Sequence, residues 1–100
     1  MKAVLSGVVI AEADKDDLVR IEGNWYWPPV AVAKGALVES ATPYTCPWKG
    51  EAQYFSVRAG DGEHTDRAWS YPTPHSSAVA RVGADFSGYV AFDRAVQIAD

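Results

Sequence analysis

The chain predicts a mostly β fold, a compact antiparallel β sheet or barrel-like single domain with short helices at most. Short runs of β-branched and aromatic residues alternate with polar ones, and Gly, Pro and Asn interrupt them at close intervals. No apolar period of 3.6 residues is sustained. The 100 residues support one domain, expected over 1–100, and a content of 48% hydrophobic and 22% charged residues suits a chain that folds around one modest core.

Taken in order, residues 4–10 are apolar and β-branched, with Gly7 marking a bend or bulge. Residues 18–22 alternate and end at the turn-forming Gly23-Asn24, so the first third reads as a hairpin with a long polar loop around 12–17. In Asn24-Trp25-Tyr26-Trp27-Pro28-Pro29, a period of two sets Trp25 and Trp27 on one face and Tyr26 on the other. Either both faces are covered there or one aromatic lines a surface cleft, and the two prolines end strand pairing. Residues 30–32 read as a turn or an edge, and 35–40 as a brief strand or a single helical turn. Residues 41–50, punctuated by Pro43, Pro47 and Gly50, read as a loop. The clearest strand is 51–59, paired across 60–63 with 64–71. Pro72 and Pro74 stop that hairpin, 76–84 lacks the second apolar turn of a helix, and 88–92 opens a last strand resumed through 95–98. The whole amounts to roughly six to eight short strands. The glycine-rich strand-to-helix turn of a dinucleotide-binding fold is absent from the sequence.

Composition narrows the partners. A formal charge of -4, with five Arg and four Lys scattered along the chain, supplies no basic face for phosphate neutralisation, so no nucleic-acid partner is expected. The single cysteine, Cys46, excludes an internal disulfide and any multi-cysteine metal centre, and it suits a reducing compartment. The N-terminal apolar run is broken by Ser6 and Gly7 and followed by Glu12, Asp14, Asp16 and Asp17. It is too short to span a bilayer and lacks a secretory cleavage pattern, so the expectation is a soluble, cytoplasmic protein with no membrane partner.

Several groups could carry chemistry. Cys46 is the obvious nucleophile, with Lys49 three residues on to favour a thiolate and His64 or His75 as the available base; the plainer alternative is a small buried hydrophobe. Cys46, His64 and His75 with Glu63 or Asp66 are zinc-type ligands, but their spacing follows no motif, and Asp14-Asp16-Asp17 lacks the glycine and oxygen ladder of a calcium loop. No metal and no cofactor is expected. Glu22 and Asp93 would raise each other's pKa if they shared a pocket, and otherwise serve as a turn cap and a surface ion pair. Trp25, Tyr26, Trp27, Tyr44, Trp48, Tyr54, Trp69, Tyr71 and Tyr89 could include a stacking platform near Lys49 or Arg58, or could simply fill the core.

The string Cys46-Pro47-Trp48-Lys49-Gly50, followed by Tyr54 and Val57, by Ala68-Trp69-Ser70-Tyr71-Pro72 and by Val90-Ala91-Phe92, resembles the small bacterial family known as domain of unknown function 427. Val9-Ile10-Ala11-Glu12 and Glu22-Gly23-Asn24-Trp25-Tyr26-Trp27-Pro28-Pro29 resemble its opening, so the likeness runs over nearly the whole chain. It implies a β-rich domain with no established reaction. The nucleotidyltransferase-like label sometimes attached to that family finds little here: a Gly-Ser turn leading to a paired Asp-x-Asp on a strand is missing, and Asp14-Lys15-Asp16 falls in a polar loop.

The reading that unites these residues is a small-molecule-binding domain whose pocket lies beside the Cys46-Gly50 loop. Its candidate lining is Glu22, Asn24, Tyr26, Cys46, Trp48, Lys49, Tyr54, Trp69 and Tyr71. One alternative is an enzyme using Cys46 or Glu22, with Lys49 stabilising a developing anion. The other is an interaction module, a homodimer formed through an edge strand or aromatic patch.

Overall fold

Among the residues that the computed structural model describes, 1–60 and 62–100, there are nine strands and one short α-helix. β1 (Lys2–Leu5), β2 (Val8–Glu12) and β9 (Gln97–Ala99) make a three-stranded sheet in the order β2-β1-β9. β3 (Val19–Ile21), β4 (Asn24–Trp27), β5 (Leu37–Cys46), β6 (Gly50–Ala59), β7 (Gly62–Ser70) and β8 (Val90–Phe92) make a six-stranded sheet in the order β3-β4-β8-β7-β6-β5. Every pairing is antiparallel, and α1 (Ser76–Val82) follows β7. The mostly β, antiparallel expectation holds.

The first third differs from its sequence reading. Residues 4–10 are not one strand but a tight hairpin, with Leu5 opposite Val8 and both turn residues left-handed, Ser6 at φ 52° and Gly7 at φ 75°. The second hairpin, β3–β4, turns at Glu22-Gly23 (φ 53° and 83°) rather than at Gly23-Asn24, and Asn24 is already the strand partner of Ile21. Both loops have the two-residue form with φ positive at each position, whose twist matches that of the strands they join.

The aromatic run at β4 explains the architecture. Trp27 packs into one core with Ala3, Leu5, Ile10, Val57, Ala68, Val90 and Phe92; Tyr26 packs into another with Ile21, Cys46, Tyr71, Ala78, Phe86 and Ala91. Alternation along β4 and β8 thus places one core on each face of the six-stranded sheet. The small sheet covers the first face, and α1 with Phe86 covers the second. Trp27, Tyr26 and Phe86 are among the largest wholly buried side chains, so aromatic rings supply much of the apolar area that two thin cores require.

Two further readings are corrected. Residues 41–46 belong to β5 rather than to a loop, pairing with β6 from Pro43↔Gln53 to Cys46↔Gly50. Pro43 is tolerated because β5 is the sheet edge, where no second neighbour calls on its missing N–H. The register shifts between Glu39 and Pro43, and there the Gln53 side-chain amide donates to the Ser40 carbonyl at 3.0 Å. Residues 76–82 do form a helix: Ala78 is buried, Val79 and Val82 pack beside it, and Gly83 at φ 82° ends it with its N–H on the Val79 carbonyl. The β6–β7 hairpin is present, but β7 begins at Gly62 rather than His64: Gly62 and Glu63, expected in the loop, pair with Ala59 and Arg58, and Asp61 lies outside the described residues. No helix among the described residues is long and apolar enough to cross a membrane.

Candidate functional site

Cys46-Pro47-Trp48-Lys49-Gly50 is the tip of the β5–β6 hairpin, closed by the Cys46↔Gly50 pair. Hairpin tips are ordinarily solvated, yet Lys49 is only 6% exposed and Trp48 is half-buried. The tip folds back over the second core instead of projecting from it. The His75 backbone N–H donates to the Lys49 carbonyl at 3.0 Å and ties the tip to the start of α1. Gly50 allows the return of the chain, at φ 115°, where L side chains are strained.

The Lys49 ammonium is the centre of the arrangement. Its Nζ donates to Glu22 Oε1 at 2.7 Å and lies 5.0 Å from the Tyr71 ring centroid, 5.1 Å from that of Trp48 and 5.9 Å from that of Tyr26. Three ring faces around one cation give electrostatic attraction without hydrogen bonds. Burial works to depress the Lys49 pKa, but the Glu22 hydrogen bond and charge, with Tyr26 and Cys46 nearby, outweigh it and the net shift is upward. Lys49 therefore stays an ammonium at neutral pH. The hydrogen bond from Lys49 holds Glu22 below the usual glutamate range against the opposing effect of desolvation, with help from the Lys49 charge, the Trp48 side chain and Arg81. Tyr71 is pushed upward by burial and by its neighbours Tyr26 and Cys46.

Aromatic neighbours extend the cluster. Trp69 donates its indole N–H to the Tyr26 hydroxyl at 3.2 Å, and its ring lies 6.1 Å from Tyr54. Tyr26, Tyr71 and Phe86 contact one another at centroid distances of 6.0–6.5 Å. The Arg81 guanidinium sits 4.4 Å from the Trp48 ring centroid. Of the residues singled out by sequence, Glu22, Tyr26, Cys46, Trp48, Lys49 and Tyr71 meet around the ammonium, and Trp69 and Tyr54 join at one remove. Asn24 does not; it is exposed and lines a different cleft, beside Trp25 and Trp27. Arg81 and Phe86 escaped the sequence reading because they fall in residues 76–87, where the sole signal was the Val79–Val82 spacing before Gly83.

Cys46 is buried within the second core, and a reactive thiolate needs solvent and reagent access. His64 lies near the far end of β6–β7, opposite Val57, with its ring 3.4 Å from Ser6 Oγ, whereas the His75 ring lies beside Gly50. Asp93 accepts from Arg67 at 3.2 Å rather than facing Glu22. Asp14 and Asp16 are exposed at a 3-10 turn, and among the described residues no three His, Cys, Asp or Glu side chains gather where they could hold a metal ion. Three surface clefts of about 220, 320 and 600 Å³ are lined by residues outside the 46–50 tip. Access to Lys49 is covered by Glu22, whose side chain is 58% exposed.

Fold and site define a small antiparallel β domain with a buried lysine at a hairpin tip, caged by aromatic rings and closed by an exposed carboxylate. The chain belongs to the family described as a domain of unknown function, DUF427, which it matches over residues 1–99. A search of curated proteins gives no match.

Proposed function

We propose that the domain binds a small organic anion, a carboxylate or phosphate on a planar body, at Lys49. One observation carries this reading: a buried ammonium has as its counter-ion an exposed glutamate held on a left-handed turn residue. At that turn position Asn, Asp or Gly is the favoured residue, and a glutamate accepts backbone strain there. What the glutamate gains is reach to Lys49. An exposed counter-ion over a buried cation is replaceable: it can swing into water, where it is well hydrated, while an incoming anion takes its bond to Nζ. Trp48 and Tyr71, already beside the ammonium, would flank the body of such a ligand. Because Lys49 remains protonated, it serves as a fixed positive charge rather than as an amine nucleophile or base.

Benzoate and its uncharged relative benzyl alcohol test the reading, with the Trp48 indole N–H followed by NMR. Benzoate should shift that signal saturably, and Glu22→Gln, which removes the competing carboxylate, should bind it about tenfold tighter. Benzyl alcohol and the Lys49→Met variant should show no saturable shift. Equal benzoate binding by Lys49→Met and the parent, or none by Glu22→Gln, would overturn the proposal.

A further inference from the structure

We infer that Arg81 tunes the Lys49 site to a dianion, so that its ligand is a small phosphate monoester on a planar body rather than a carboxylate. This rests on the anion-binding reading above and names the class of ligand within it. The carrying observation is an imbalance of charge around Trp48. The Lys49 ammonium lies 5.1 Å from the centroid of that ring and the Arg81 guanidinium 4.4 Å from the same centroid. Glu22 is bonded to Lys49, whereas Arg81 has no carboxylate within ion-pair distance among the described residues. Two cations thus share one ring and one counter-ion. An unpaired arginine in water is ordinary, but one laid against a ring beside a second cation adds like-charge repulsion that an anion between them would relieve.

The fold places Arg81 for this. Ala78 is buried and Val79 and Val82 pack against the second core, so α1 is anchored there and its last turn carries Arg81 to the hairpin tip. The residue is exposed, and stacking on an indole leaves the N–H groups of a guanidinium free to bond in the plane of the group. Its charge reaches the Glu22 carboxylate, which it helps to keep ionised, so the position that Glu22 holds lies in the field of both cations. A monoanion that takes this position from Glu22 matches Lys49 and leaves Arg81 as it was. A phosphate monoester carries close to two negative charges at neutral pH and has three free oxygens, so one oxygen can accept from Lys49 while two others face the guanidinium fork.

The test compares phenyl phosphate with phenyl sulfate at about pH 7.5, where the same ring and tetrahedral head carry close to two charges in the first and one in the second. Both are titrated into the whole protein with the Trp48 indole N–H followed by NMR. Phenyl phosphate should bind about tenfold tighter than phenyl sulfate, and also about tenfold tighter than inorganic phosphate, which has the charge without the ring. In Arg81→Gln, a change at an exposed position, the two ring ligands should come within about twofold of each other. Equal affinities in the parent, a preference that persists in Arg81→Gln, or inorganic phosphate as tight as phenyl phosphate would overturn the inference. Anion binding at Lys49 survives any of these results if phenyl sulfate binds the parent and not Lys49→Met, whereas no saturable shift with either ring ligand removes both readings.

Discussion

At the scale of single residues, Glu22 and Lys49 are unequal partners although they share one short bond. Removing the Glu22 charge leaves an ammonium buried among rings without its carboxylate, whereas removing the Lys49 charge leaves a glutamate already in water. Losing the partner of a buried charge is the expensive case, and stranding an exposed one is cheap. Glu22→Gln is expected to destabilise the fold by about 1–3 kcal/mol. Lys49→Met should cost less than about 1 kcal/mol. Urea unfolding of both variants checks this, and equal losses, or a larger loss for Lys49→Met, would show that Glu22 does not act as the cap of a buried charge. Glu22 and Lys49 were both legible in the sequence, one beside a Gly turn and one in the Cys-Pro-Trp-Lys-Gly string. Their contact was not, because it joins two hairpins 27 residues apart.

At the scale of elements, the hairpin tip depends on Gly50. A Cβ there would meet the His75 ring at 3.6 Å and the Thr73 carbonyl at 3.7 Å, which are ordinary contacts, so space is not the obstacle. The obstacle is φ at 115°, and Gly50→Ala is expected to cost about 1–3 kcal/mol in backbone strain. A lower urea midpoint with an unchanged slope would support this, and an unchanged midpoint would contradict it. Elements were readable where alternation was local, as in β6 and β7. They were misread where local signals conflicted with tertiary placement. Pro43 spells a loop, but an edge strand asks nothing of a proline's missing donor. Ser6-Gly7 reads as a bend until both residues turn left-handed. The seven-residue α1 has too few turns for its period to declare itself, and packing against Tyr26, Tyr71 and Phe86 supplies what the local pattern lacks.

At the scale of the whole molecule, the same six-stranded sheet supports two cores, and the Lys49 cage lies on the α1 face. The Trp25-Tyr26-Trp27 run left two readings open in the sequence, two covered faces or a ring lining a surface cleft, since a strand cannot turn three consecutive rings one way. What covered each face was hidden, because the small sheet joins β1 to β9 from opposite ends of the chain. The cage also shapes the response of the fold to pH. Lys49 and Tyr71 hold their protons more tightly folded than unfolded, so their contribution to stability is complete below their unfolded pKa values, near pH 10, and is lost as pH rises through the folded ones.

The cage requires Lys49 to be a buried cation, and the direct measurement is an NMR pH titration of its side-chain carbon and nitrogen signals, assigned with Lys49→Met. Lys49 should titrate above the ordinary lysine range in the native protein, and Glu22→Gln should bring it down. A Lys49 that loses its proton below the ordinary lysine range would rule out the caged cation, because burial would then outweigh the effect of Glu22 on the ammonium.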